Sequence, residues 1–289
     1  MRNCSRTQAA ELLYGAYDLH VHTAPSHFQR SLDDFELLEQ AEEYGMAGVL
    51  IKSHYEPTGA RAVLVNRRYS DFKARAYGAV ALNHPVGGLN PYAVESALKM
   101  GASYVWMPTR DSYHCLLSGN MPGDFFSRPG IRVMDESGCL RSEVYDIFDV
   151  VKKYDACLGT GHLSPEESML LCSQGRKRGV RMVLTHPEWQ RTVVSLPVQK
   201  QLMQKGVLIE KNWINICEGA CTAEYMAHTI RILGSKHVYL ATDRGQAGFE
   251  SPAEGMLRFI QTLLSCGITE PQITDMIVRV PQEVIHPTL

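Results

Sequence analysis

Eight short β-rich runs recur along this 289-residue chain, with amphipathic or turn-rich stretches between them. They read "AYDLHV" (16–21), "GVLIKS" (48–53), "YGAVAL" (77–82), "SYVWMP" (103–108), "ACLGTG" (156–161), "RMVLTH" (181–186), "GVLIE" (206–210) and "HVYLAT" (237–242). In "SLDDFELLEQAEEYG", Phe35, Leu38 and Ala41 fall at helical spacing behind an acidic first turn. "SPEESMLLCSQGRKRG" has Ser164 placed to cap a helix, Pro165 at its first position and Gly179 to stop it. Strands alternating with helical crossovers predict a parallel α/β sheet. Eight of them close a (β/α)8 TIM barrel, and no glycine-rich phosphate loop follows any strand to favour a doubly wound open sheet. The length suits a single barrel domain spanning 1–289.

One segment breaks the rhythm. Residues 109–141 are rich in Gly, Pro, Ser and Asp, and "GIRVMDESGCLRSE" reads as a hairpin turned at Asp135–Gly138. A loop of this length after the fourth strand is expected to serve as a lid or wall at the barrel mouth.

Composition removes several classes of function. Lys and Arg number 29 against 31 Asp and Glu, a net charge of −2 with no basic run, so a nucleic-acid partner has no electrostatic footprint. No apolar stretch approaches the roughly 20 residues that span a bilayer, and "MRNCSRTQAAELLYG" lacks the apolar core of a secretory signal. The eight cysteines are scattered without a C-x-x-C pair, which favours reduced thiols in a cytoplasmic protein over a disulfide framework or a thiolate zinc cluster. The expected partner is a small molecule, with pairing of copies through barrel helices as an open option.

In a (β/α)8 barrel, the groups that do chemistry sit where strands run into the following loops. The first run ends in His20 and His22, two imidazoles at i and i+2 that share a strand face. The second ends in Lys52 and His54, at the same spacing. Then come Asn83 and His84, Arg110 with Asp111 and His114, His162, His186, Glu210, and Asp243 followed by Arg244. Taken singly, a His-Pro is usually a turn and an Asp after a strand a helix cap. Independent caps and turns have no reason to fall on the same end of successive strands. Histidines and a carboxylate converging in a cleft point to a divalent metal, with zinc, iron or manganese suited to such donors.

These residues resemble the amidohydrolase superfamily. The resemblance is carried by "DLHVH" after the first strand, "GTGHLS" around His162, "LTHPEW" around His186 and "ATDRGQ" around Asp243, and it runs over essentially the whole chain. It implies one or two divalent ions, Zn2+ foremost with Mn2+ and Fe2+ as alternatives, held by His20, His22, His162, His186 and Asp243. It also implies metal-activated water acting on an amide, lactone or related carbonyl, or a phosphoester, of which an amide, cyclic amide or lactone is the reading taken first. Asp243 would move the proton, with His54 and Lys52 at the reacting centre and His84, Arg110, Glu210 and Arg244 toward the substrate. Many binuclear members carry a bridging carboxylated lysine or glutamate after the fourth strand; here the only lysine at a suitable strand end is Lys52, after the second. "DLHVHTAPS" and "VLIKSHYEP" also look like the polymerase and histidinol phosphatase family, which makes a metal-dependent phosphoesterase the alternative. That family favours an acidic residue where Lys52 stands and a D-x-H where Gly245 follows Asp243. A non-oxidative decarboxylase on the same barrel is a third reading.

Overall fold

The computed structural model describes residues 6–285 apart from 120, 122–123 and 125–126. Eight parallel strands lie in sequence order: β1 (Tyr17–Val21), β2 (Gly48–Ile51), β3 (Arg75–Ala81), β4 (Ala102–Trp106), β5 (Cys157–Gly159), β6 (Arg181–Leu184), β7 (Leu208–Asn212) and β8 (Val238–Ala241). Just beyond β8 the ring closes on β1, where Asp243 N donates to His20 O at 2.8 Å and His22 N to Arg244 O at 2.8 Å. This is the (β/α)8 barrel expected from the alternation. The two ends of the expected 1–289 domain fall outside the described residues.

The strands alternate as barrel strands must. Leu19, Leu50, Ala79, Ala81, Tyr104, Trp106, Val183 and Tyr239 fill the interior, and Val280, Val284 and Ile285 of the last helix pack against its floor. Val49 and Ile51 face outward onto Leu37, Leu38 and Ala41, the stripe of the helix Asp34–Glu43. Its N-cap Asp33 and Glu36 form a reciprocal capping box. Ser164 caps Pro165–Lys177 in the same way through Glu167.

Two local devices aim the site. In β1 the register against β2 shifts between Asp18 and Val21. Tyr17 and Leu19 pack inside the barrel and Val21 outside, so the parity changes and both His20 and His22 come to face inward. Ahead of His162, Gly161 takes φ +62°, and a β-carbon there would stand 2.3 Å from the carbonyl oxygen of Met107. Only glycine lets the chain turn so close to the end of β4.

The 109–141 segment runs through a short helix, Tyr113–Leu117, then returns so that Ser112 bridges Ile131 and Met134 bridges Leu140 antiparallel around Asp135–Gly138. Asp135 Oδ1 accepts from the amides of Ser137 and Cys139, which fixes that turn. Arg110 pairs with Asp124 at 3.0 Å and Arg128 pairs with Asp111, binding the segment's middle back to its root. No helix among the described residues is long and apolar enough to cross a membrane, and the seven described cysteines are free thiols.

Candidate metal centre

His20 Nδ1 donates to Glu210 Oε1 at 2.9 Å, and His22 Nδ1 donates to the carbonyl oxygen of Lys52 at 2.9 Å. Each bond fixes the tautomer, so both Nε2 lone pairs point into the barrel mouth. Asp243 Oδ1 lies 3.3 Å from His20 Nε2 and 3.0 Å from His22 Nε2. These separations fit the edge of about 3.3 Å between donors that share one tetrahedral ion at bonds of about 2.0–2.1 Å. Three lone-pair donors aimed at one point, all buried, repel one another unless a cation stands between them.

His186 completes a second side. Its Nε2 is 3.5 Å from Asp243 Oδ2, and its buried Nδ1 has no hydrogen-bond partner. His186 and Asp243 both take left-handed backbone, at φ 51° and 53°, a strained state for residues with a β-carbon. His162 packs edge-on to His186 with ring centroids 5.4 Å apart, and its Nδ1 lies 3.7 Å from Cys115 Sγ. His54 stacks on His22 at 4.9 Å and is held at Nδ1 by Thr109 Oγ1, 2.8 Å away. Asn83 donates to that same hydroxyl at 2.6 Å, so Asn83 positions His54 through Thr109. Burial lowers the pKa of His22, His54 and His162 well below the usual imidazole range and brings His186 to about 3. Neutral imidazoles are the form a metal requires.

Lys52 enters the same cluster. Its Nζ lies 2.8 Å from His20 Nε2 and 4.8 Å from the Trp106 ring centre. Burial lowers its pKa to about 8 against the pull of Asp243 and Glu210.

Of the four residues placed at the substrate by sequence, three stand elsewhere. β7 runs to Asn212, so Glu210 is in mid-strand rather than at the rim. It is fully buried, with one oxygen on His20 and the other accepting from Tyr239 Oη at 2.6 Å. With His186 close by, His20 and Glu210 form a second close donor group. His84 is exposed on a side groove, its Nε2 2.8 Å from Pro129 O. Arg244 turns away from the cavity to Glu250 at 2.9 Å and the ring of Phe249. Arg110 does line the cavity, paired with Asp124.

The cavity above the cluster holds about 200 Å³. Sequence reasoning missed several of its walls: Phe28 and Arg30 from the loop after β1, Trp189 after β6, Ile214 and Glu218 after β7, and Gln246 after β8. Trp189 and Gln246 end the stretches "LTHPEW" and "ATDRGQ"; for the others the only sequence signal is membership of a loop at the chemical face. Met121 and Arg110 bring the 109–141 segment into the wall.

The fold is shared with solved hydrolases at low identity. An amidohydrolase from Pseudomonas aeruginosa superposes with TM-score 0.67 at 13% identity, over 98% of this chain and 99% of that one. A probable 2-pyrone-4,6-dicarboxylic acid hydrolase from Acinetobacter baumannii gives 0.60 at 10% identity, over 94% and 99%. An organophosphorus hydrolase from Deinococcus radiodurans gives 0.56 at 13%, over 96% and 93%. The likeness shows the (β/α)8 barrel fold. No curated protein matches the sequence. The model of a family of unknown function, DUF6282, matches residues 15–210, from the start of β1 through Glu210. With two thirds of its length so matched, the chain belongs to the DUF6282 family, carried on a (β/α)8 barrel.

Proposed function

We propose that the protein is a metal-dependent hydrolase of a small-molecule amide, cyclic amide or lactone. The observation that carries this is the convergence of His20 Nε2, His22 Nε2 and Asp243 Oδ1 at 3.0–3.3 Å under a cavity. The hydrolase names of the structural neighbours support the same reading. His20, His22 and Asp243 would hold the ion, with His186 and His162 either completing its shell or holding a second one. Zinc suits this nitrogen-rich set best. When bound, the ion lowers the pKa of water toward about 7 and polarises a carbonyl.

The chain's own groups do the rest. Asp243 has a second oxygen, Oδ2, that is free of the His20 and His22 contacts and can take a proton from water and pass it to the leaving group. His54, fixed by Thr109, presents its Nε2 edge toward the cavity as a donor to developing negative charge. Trp189 and Phe28 narrow the mouth and limit water.

The phosphoesterase alternative weakens at Gly245. A β-carbon there would stand 1.7 Å from the carbonyl oxygen of His22. The histidine that the polymerase and histidinol phosphatase pattern places two after the aspartate cannot occupy this backbone. The test is turnover of a panel of lactones, amides and phosphoesters by wild type and Asp243→Asn. Asparagine keeps one ligand oxygen and loses the base, so carbonyl hydrolysis should fall by about 10²–10⁴ while much of the metal stays. Equal turnover in both proteins, or activity on phosphoesters alone, contradicts the proposal; release of CO2 without hydrolysis would favour a decarboxylase.

A further inference from the structure

Among the described residues, Arg30 has no carboxylate in contact. It lines the cavity half-buried, and its guanidinium lies 4.1 Å from the ring centre of Phe28. Its Nε donates weakly to Ser26 Oγ at 3.3 Å. Among the described residues no carboxylate oxygen comes within 4.0 Å of it, although Asp243 and Glu218 line the same cavity. Arg110, whose guanidinium lies 5.2 Å from the same ring centre, is matched by Asp124. Burial lowers Arg30 to about 10, with Asp243 pulling the other way at longer range and Arg110 adding to the fall.

The position is built rather than incidental. The backbone of Arg30 bridges that of Gln246, and Ser31 N donates to Gly245 O at 3.0 Å. The loop after β1 is thus stitched to the loop that follows Asp243, which fixes the backbone of Arg30 relative to that of Asp243.

We infer that Arg30 is a specificity residue for a carboxylate on the substrate, remote from the carbonyl that reacts. The inference rests on the hydrolase reading of the same cavity and adds the substrate class. A single unmatched guanidinium fits a planar, singly charged, two-oxygen acceptor through its fork. Phe28 and Trp189 supply flat apolar walls beside it, and the volume limits the ligand to a small acid.

The experiment measures binding, so it does not depend on turnover. Benzoate and benzamide are titrated calorimetrically into metal-loaded protein, into chelator-treated protein, and into Arg30→Gln and Arg30→Lys. Benzoate should bind wild type more tightly than benzamide by about tenfold or more, the scale of a charged hydrogen-bonded pair. Arg30→Gln should erase that preference and leave benzamide unchanged, and Arg30→Lys should keep part of it. The preference should survive chelation. Equal binding of the two probes by wild type overturns the inference, and needs no variant to fold. So does a preference that vanishes with the metal and ignores Arg30, since the carboxylate would then be a metal ligand. Arg30-dependent benzoate binding with no hydrolysis of any carboxylated lactone would reject the hydrolase reading alone. Hydrolysis of neutral lactones with no such binding would reject the carboxylate alone.

Discussion

The carbonyl oxygen of His22 and the α-carbon of Gly245 are packed so closely that a β-carbon on residue 245 would stand 1.7 Å from that oxygen. Gly245 also takes φ +119°, which side chains resist. The contact lies at the seam where β8 closes on β1, between a candidate ligand, His22, and the residues following another, Asp243. Gly245→Ala should therefore part the two strand ends. Expected outcomes are a stability loss of at least about 2 kcal/mol by denaturant titration and a marked drop in bound metal. Wild-type metal content and midpoint in the alanine variant would show that the seam does not set the site.

Glu210 acts through His20. Burial would raise its pKa, but the bonds from His20 and Tyr239 hold it at about 2, so the carboxylate stays charged beneath the imidazole. Glu210→Gln should keep the shape and remove that charge. Metal affinity should fall by about 10–100-fold, the usual cost of losing such a partner, in competition with a chromogenic chelator. Tyr239→Phe, one bond further out, should cost less. An unchanged affinity in the glutamine variant would remove Glu210 from the orientation of His20.

Lys211 and Glu188 form a buried ion pair behind the loop that carries His186 and Trp189. Lys211 Nζ also donates to Gln199 Oε1 at 2.8 Å. Removing one member strands the other's charge away from water. Lys211→Met should destabilise by about 3–5 kcal/mol, and adding Glu188→Gln to it should recover much of that loss. A single variant as stable as wild type in urea would mean that water reaches Glu188.

The barrel was legible because its periodicities are local: each strand, cap and stop signal lies within a few residues. The strand ends carried the candidate ligands for the same reason, and His20, His22 and Asp243 meet where the order of the runs put them. What failed depends on register and side-chain direction. A two-residue difference in the placing of β7 moved Glu210 from the rim into the interior. Arg244 shares the loop after β8 with Asp243, yet finds Glu250 on the far side of that loop. His84 begins a short 3-10 turn, Asn83 beside it, and only the asparagine faces the site, through Thr109. Arg30 and Phe28 were invisible because a loop has no period; their place is set by hydrogen bonds to a loop more than 200 residues away in sequence.

The most direct measurement is metal stoichiometry by elemental analysis, on protein as purified, after chelation and after return of Zn2+, Mn2+ or Fe2+. His20, His22 and Asp243 should hold at least one ion per chain, and the ion's return should raise the melting temperature, since it binds the folded state alone. His22→Ala, with one of the converging donors gone, should retain far less. A wild-type chain that keeps no ion and shows no thermal shift with any of the three metals would contradict the metal centre, and would leave the Lys52 ammonium as the cation that His20 Nε2 faces.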